Sequence, residues 1–318
     1  MTAQTRADGS LRHLLTLEGL SSRELTQLLD RAQEYVRPPG ARAPVSRALA
    51  GVTVANLFTE PSTRTRVSFE LAAKRLGAEV VNLELQLSSR VKGESMLDTI
   101  FTLEALHVDA FVIRDAEAGV PGLVAAHVAP HVSVLSAGEG SAAHPTQGLL
   151  DALTIRQRKH RFDGLVVAIV GDIRHSRVAR SACHALTTLG VAELRVVGPA
   201  SLLPGDDEFR GCVRHTDIEA GLRDADVVMM LRIQRERMEG EAQLDGAAYF
   251  DSFGLTAARL RLAKPDAIIL HPQPMNRGVE IASDVADGPQ SAIRDQVRNG
   301  VAVRMAVLAT VVRTGDST

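Results

Sequence analysis

The run Ser62-Thr63-Arg64-Thr65-Arg66 gathers three hydroxyls and two guanidiniums within five positions. Pro61-Ser62 before it reads as a turn and helix cap, so the run opens a helix. At such a place unpaired backbone N–H groups and the positive end of the helix dipole favour an anion. Arginine can hold a phosphate in a planar fork while hydroxyls supply further donors. The competing reading of the segment is Ser62 as an N-cap followed by exposed arginines. Other polar groups stand just behind short apolar runs: Arg114 after FVI, Arg177 one turn into a helix behind Gly171-Asp172, Arg232 with Gln234 after VVMML, and His271-Pro272 after AIIL. His144 and Gln147 share the segment HPTQ. An isolated arginine or histidine in such a place is usually structural. Four cationic tips in a chain of net charge −2 point instead to a cleft for a substrate with several negative charges.

These residues need strands and helices to position them, and the apolar pattern supplies both. Residues 52–58 (VTVANLF) read as a buried strand, 63–76 as a helix stopped by Gly77, and 78–83 as the next strand. The same order recurs as a strand at 165–170, a helix at about 174–189, a stop at Gly190 and a strand at 193–197. Further strands are expected at 110–113, 132–135, 227–231 and 267–270. Strands alternating with helices indicate an α/β fold with parallel sheets, whose ligands sit at the C-terminal ends of the strands. Residues 146–161 have helical composition and hold the expected domain boundary; their basic cluster at 156–161 reads as a solvated helix face. Residues 291–312 read as a long amphipathic helix.

Composition sets the outer bounds. At 318 residues the chain is about twice the ~150 typical of one domain, so two domains are expected. Hydrophobic residues at 45% and charged residues at 23% exclude a disordered or rod-like chain. A pI near 6.6, 3% aromatics and no Trp argue against nucleic acid or an anionic membrane as partner. Cys183 and Cys212 lie in no CxxC and near no His cluster, so they are expected to be reduced structural thiols. The N-terminal residues 1–12 are polar and the apolar runs too short to span a bilayer, which makes a soluble cytoplasmic protein the expectation. Neither GxxxxGK[ST] nor GxGxxG follows any strand, which removes the usual ATPase and dehydrogenase readings. No pair of His or carboxylates has a metal-ligand spacing, so no metal is expected.

The ordered set PSTRTR (61–66), KGES (92–95), HPTQ (144–147), GD with Arg177 (171–177), LRIQ-RER (231–237) and HPQPMNRGVEI (271–281) resembles the catalytic chains of the aspartate carbamoyltransferases. STRTR alone is shared with the ornithine enzymes and speaks only for carbamoyl phosphate. The resemblance implies two doubly wound α/β domains, each with a central parallel sheet. Residues 1–145 would bind carbamoyl phosphate, 146–160 would form a connecting helix, and 161–293 would bind aspartate. A C-terminal helix, 294–318, would return to the first domain, and the domains would close over the substrates.

It further implies that Ser62, Thr63, Arg64 and Thr65 hold the phosphate, with Arg114 bridging phosphate and carbonyl oxygen. Thr65, Arg114 and His144 would polarise the carbonyl. Gln147 and the backbone carbonyls of Pro272 and Gln273 would hold the carbamoyl NH2. Arg177 would grip the α-carboxylate of aspartate, and Arg232 and Gln234 its side-chain carboxylate. No cofactor would be needed. Ser88 and Lys92 would enter the neighbouring subunit's site, with Lys92 on aspartate, making a homotrimer the smallest active unit. Such a trimer is compatible with a larger assembly containing regulatory or dihydroorotase-like chains. An ornithine enzyme would carry an acid for the distal amine, usually in an SMG segment, and an HCLP segment; here the places read MMLRIQ and HPQP. The alternatives are a carbamoyltransferase with another acceptor and a non-catalytic anion-binding or scaffold subunit. Gln273 and Met275 vary the HPxPxN pattern at a backbone-binding and a packing position. Residues 202–213 and 249–260 carry no motif.

Overall fold

In the computed structural model, residues 4–84, 95–205, 208–234 and 245–313 are described. The chain divides into two compact units, Met1–Leu149 with Arg298–Thr318, and Leu150–Val297. Each is built on its own parallel sheet, the α/β class read from the alternating pattern.

The first unit runs α1 (Ser22–Tyr35), β1 (Thr53–Phe58), α2 (Thr63–Arg75), β2 (Glu79–Glu84), α3 (Met96–Ala105), β3 (Ala110–Asp115), α4 (Val120–His127) and β4 (Ser133–Glu139). Helix α5 (Pro145–Lys159) passes from the first unit into the second. Helix α1, to which the apolar pattern assigns no element, opens on a capping box of Ser21 and Glu24, a signal visible at that spacing. The strand order is β2-β1-β3-β4. Strands β1, β3 and β4 are buried almost throughout, as parallel strands covered on both faces must be. Phe111, Ile113, Ile100 and Leu57 form the core beneath them. Because β2 lies on one side of β1 and β3 on the other, the winding reverses between β1 and β3. That reversal opens a crevice at their C-terminal ends.

The second unit continues with β5 (Val166–Val170), α6 (Arg177–Thr188), β6 (Glu193–Val197), β7 (Val213–His215), α7 (Ile218–Leu222), β8 (Val227–Met230), α8 (Gly246–Phe253), α9 (Ala257–Leu260), β9 (Ile268–Leu270) and α10 (Ser283–Ala286). Its sheet has the order β7-β6-β5-β8-β9, so the winding reverses between β5 and β8. Strand β7 has no signal in the apolar pattern because it is a three-residue edge strand with two polar residues and no buried position. The helix expected from about 174 begins instead at Arg177, because Ser176 takes the cap and accepts the Ala179 N–H. Arg177 is therefore the first helical residue and not a turn further in.

Helix α11 (Ile293–Val311) starts in the second unit and ends in the first. Its end is fixed there by Ser133 Oγ and Arg6 Nη2, which donate to the Val311 carbonyl at 2.7 and 2.6 Å. The Arg304 guanidinium lies 4.9 Å from the Phe69 ring centroid. Among the described residues, no helix is long and apolar enough to cross a membrane.

Candidate active site

At the reversal of the first sheet, Phe58 and Arg114 are register partners at the ends of β1 and β3. The chain leaves β1 through Thr59-Glu60-Pro61 and enters α2 at once. Ser62 is the N-cap of α2 but makes no side-chain cap bond, so its hydroxyl is not engaged in the role the competing reading gave it. The first intrahelical bond here runs from Arg66 N to Ser62 O, at 3.0 Å. The N–H groups of Thr63, Arg64 and Thr65 therefore precede the helical bonding pattern. Thr63 and Arg64 are exposed, Ser62 and Arg66 half-buried and Thr65 buried.

Arg114 sits where the β3–β4 register shifts between Ile113 and Asp115, an irregularity that re-aims the strand end. Its Nη1 donates to the Ala137 carbonyl at 3.2 Å, and its Nε lies 3.2 Å from Glu60 Oε2. The Thr59 N–H and hydroxyl donate back to the Arg114 carbonyl at 3.0 and 3.2 Å. This nearly buried guanidinium is thus held between the loop behind β1 and the end of β4. Glu60 stands directly before PSTRTR, which is its one signal in the sequence. His144 precedes α5, and its carbonyl accepts from Gln147 N and Gly148 N at 2.9 and 3.2 Å. Both His144 and Gln147 are buried. Serine, threonine, two arginines and a histidine thus stand at the C-terminal ends of the strands of one sheet.

The second unit repeats the arrangement at its own reversal, where Val170 and Met230 are register partners. Gly171 follows β5 with φ +134°, and a Cβ there would lie 2.6 Å from the Leu231 carbonyl oxygen. Only glycine permits that approach. Asp172, fully buried, ties the two strand ends together. Its Oδ1 lies 2.9 Å from His175 Nδ1 and accepts the His175 N–H at 3.2 Å. Its Oδ2 accepts the Gln234 N–H at 3.2 Å. Gln234 Nε2 in turn donates to the His175 carbonyl at 3.1 Å. The loop carrying Arg232 and Gln234 is thereby fixed to the loop leading into α6, which places Arg177 at its first position. Arg177 is buried and Arg232 half-buried. Tyr249 packs nearby; burial, then the Glu280 and Asp172 carboxylates, hold its phenol above the usual range.

Behind β9, the Gln273 N–H donates to His271 Nδ1 at 2.9 Å. His271 must then carry its proton on Nε2, which donates to Glu280 Oε1 at 3.2 Å. Glu280 also accepts from the Asn276 N–H, and the His271 N–H donates to Gln296 Oε1 at 2.8 Å. This fully buried pair fixes the loop of Pro272 and Gln273, the latter at φ +59°. His271 and Glu280 thus act through the loop they hold, a role the HPQP motif alone did not reveal.

Ser88 and Lys92 lie outside the described residues, as does the RER end of the LRIQ-RER segment. Among the described residues, no group of three His, Cys, Asp or Glu is placed to hold a metal ion.

Residues 12–157 match the family model "Aspartate/ornithine carbamoyltransferase, carbamoyl-P binding domain", and residues 163–311 match "Aspartate/ornithine carbamoyltransferase, Asp/Orn binding domain". The chain is similar to aspartate transcarbamoylase from Trypanosoma cruzi in complex with carbamoyl phosphate. Identity is 32%, with 95% of this chain and 96% of that one covered and a TM-score of 0.85. It is similar to the same enzyme in complex with N-(phosphonacetyl)-L-aspartic acid, at 32% identity, 97% and 98% coverage and a TM-score of 0.85. Ornithine carbamoyltransferase from Thermus thermophilus shares 27% identity over 95% of this chain and 99% of its own, with a TM-score of 0.83.

Proposed function

This chain belongs to the aspartate/ornithine carbamoyltransferase family, and we propose that it transfers the carbamoyl group of carbamoyl phosphate to L-aspartate. The products are N-carbamoyl-L-aspartate and phosphate, a step of pyrimidine biosynthesis. In this reading residues 1–145 with the helix 294–318 bind carbamoyl phosphate, 146–160 connect, and 161–293 bind aspartate.

Ser62, Thr63, Arg64 and Thr65 hold the phosphate, with the N–H groups at the start of α2 as further donors. The deprotonated α-amine attacks the carbonyl carbon. Thr65, Arg114 and His144 donate to the oxygen as it gains charge, while Gln147 and the carbonyls of Pro272 and Gln273 orient the NH2. Fixed donors of this kind are each worth about 3 kcal/mol at the transition state. The C–O bond to phosphate then breaks, and the leaving phosphate takes the proton released by the attacking nitrogen. His144 serves as a hydrogen-bond donor, and no cofactor enters.

Arg177 grips the α-carboxylate, and Arg232 and Gln234 read the side-chain carboxylate. The observation that carries aspartate over ornithine is the charge at this sheet end. Arg232 stands just beyond β8, while the nearby carboxylate of Asp172 is fully buried and engaged by His175 and Gln234. An ornithine ammonium would meet a guanidinium there. Two guanidiniums suit two carboxylates.

Ser88 and Lys92 reach the neighbouring subunit's site, with Lys92 on aspartate, so the working unit is a cytoplasmic homotrimer. Larger assemblies with regulatory or dihydroorotase-like chains are compatible with this trimer.

Calorimetric binding of N-(phosphonacetyl)-L-aspartate and of its L-ornithine counterpart tests the reading. Tighter binding of the aspartate compound, lost in Arg232→Ala, is expected. Preference for the ornithine compound would overturn it.

A further inference from the structure

Cys183 and Cys212, 29 residues apart in sequence, meet with their sulfurs 3.7 Å apart, both as free thiols. Cys183 lies on α6 and is buried, whereas Cys212 is half-buried. The contact is one of three that seat residues 208–212 on the same stretch of α6. Arg180, one turn before Cys183, forms an ion pair with Glu208, and its guanidinium lies 5.2 Å from the Phe209 ring centroid. Phe209 to Cys212 is a turn closed by the Cys212 N–H on the Phe209 carbonyl at 3.1 Å, with Phe209 at φ 52° and Gly211 at φ 84°. Arg214, which donates to the Pro204 and Gly205 carbonyls, brings positive charge toward Cys212. The Cys183 hydrogen bond and then Arg214 hold the Cys212 thiol below its usual range. Its bond with Cys212 and its burial push Cys183 up. Cys212 is therefore the more exposed sulfur of the two, and Cys183 is shielded and in contact with it.

We propose that Cys183 and Cys212 form a redox-modifiable dithiol, oxidised by a hydroperoxide to an intrachain disulfide that staples residues 208–212 to α6. The Cys212 thiolate attacks the terminal peroxide oxygen; the O–O bond breaks, the alkoxide leaves and takes a proton, and Cys212 becomes a sulfenic acid. The Cys183 sulfur then attacks the Cys212 sulfur, the S–O bond breaks, and hydroxide leaves with the Cys183 proton as water. Two thiols and one hydroperoxide thus give a disulfide, an alcohol and water. With a disulfide bond near 2.05 Å, the sulfurs must close about 1.7 Å, a movement the turn can supply while α6 stays in place. Neither thiol is among the residues assigned to carbamoyl transfer, so the test does not depend on that reading.

The reduced full-length chain is exposed to tert-butyl hydroperoxide, alkylated under denaturing conditions and mapped by peptide mass. The expected result is one intrachain link joining the Cys183 and Cys212 peptides, reversed by dithiothreitol. In Cys183→Ser, Cys212 sulfenic acid should accumulate and react with dimedone. In Cys212→Ser, oxidation of Cys183 should slow at least about tenfold. Melting of both reduced variants checks that they fold, and Cys183→Ala replaces Cys183→Ser where the serine does not. Thiols that stay alkylatable after treatment would overturn the proposal. So would Cys212 oxidised to sulfinic acid with Cys183 still free, or links only between chains.

Discussion

The Asp172 carboxylate, with no exposed surface, accepts the backbone N–H of Gln234 at 3.2 Å and so fastens the loop after β8 to the loop after β5. Its other oxygen is engaged by His175, leaving the group committed to positioning. Asp172→Asn would turn an NH2 toward one of these donors. Leaving a buried donor unsatisfied costs about 1–3 kcal/mol. The variant should lose stability by that order in urea unfolding and raise the KM for aspartate at least about tenfold, with the KM for carbamoyl phosphate little changed. Equal loss for both substrates would show that Asp172 acts on the whole fold.

Arg114 is held by Glu60 and the Ala137 carbonyl at a strand irregularity, so its side chain is positioned before any ligand arrives. Arg114→Ala should lower kcat about 10²- to 10³-fold, the usual cost of losing a fixed oxyanion donor. Circular dichroism and melting should show a folded chain. Unchanged turnover would remove Arg114 from the mechanism.

His13 is buried in the first unit, and its Nδ1 accepts the Val134 N–H at 2.9 Å. Burial, then the charges of Arg12 and Arg6, push its pKa down to about 4. The folded chain therefore binds fewer protons than the unfolded chain between about pH 4 and 6.5. The neutral-His13 contribution, up to about 3 kcal/mol, is fully present above pH 6.5 and lost as pH falls toward 4. Thermal melts at pH 7 and pH 5 should differ more for the wild type than for His13→Asn, whose amide oxygen can still accept from Val134. Equal pH dependence would contradict the assignment.

Subunit sharing is tested by mixing. Lys92→Ala and Arg64→Ala are each expected to be nearly inactive. Reassembly from mixed, dissociated subunits should restore activity, because some sites receive an intact Lys92 from one chain and an intact Arg64 from the other. Absence of recovery, with mixed trimers verified by mass, would contradict a shared site.

Much of this arrangement was legible in the residues. The strands at 53–58 and 166–170 are apolar runs broken by Pro61 and Gly171, and the polar clusters follow them directly. The sequence places Arg177 a turn too far into its helix, because Ser176 competes with Arg174 as the start and only the Ser176 bond to Ala179 decides. Asp172 and Glu280 stand inside the GD and HPQPMNRGVEI motifs and Glu60 directly before PSTRTR, but what each of them holds depends on partners brought near by folding. Strand β7 is too short and polar to show a period, and the meeting of Cys183 with Cys212 depends on how a turn packs against α6.

The most direct test of the account is turnover of the purified chain with carbamoyl phosphate and either L-aspartate or L-ornithine, following the carbamoylated product. The account predicts aspartate-dependent N-carbamoyl-L-aspartate, with kcat/KM for ornithine lower by at least about 10³-fold given the unpaired charge it would place beside Arg232. Citrulline as the main product would contradict it.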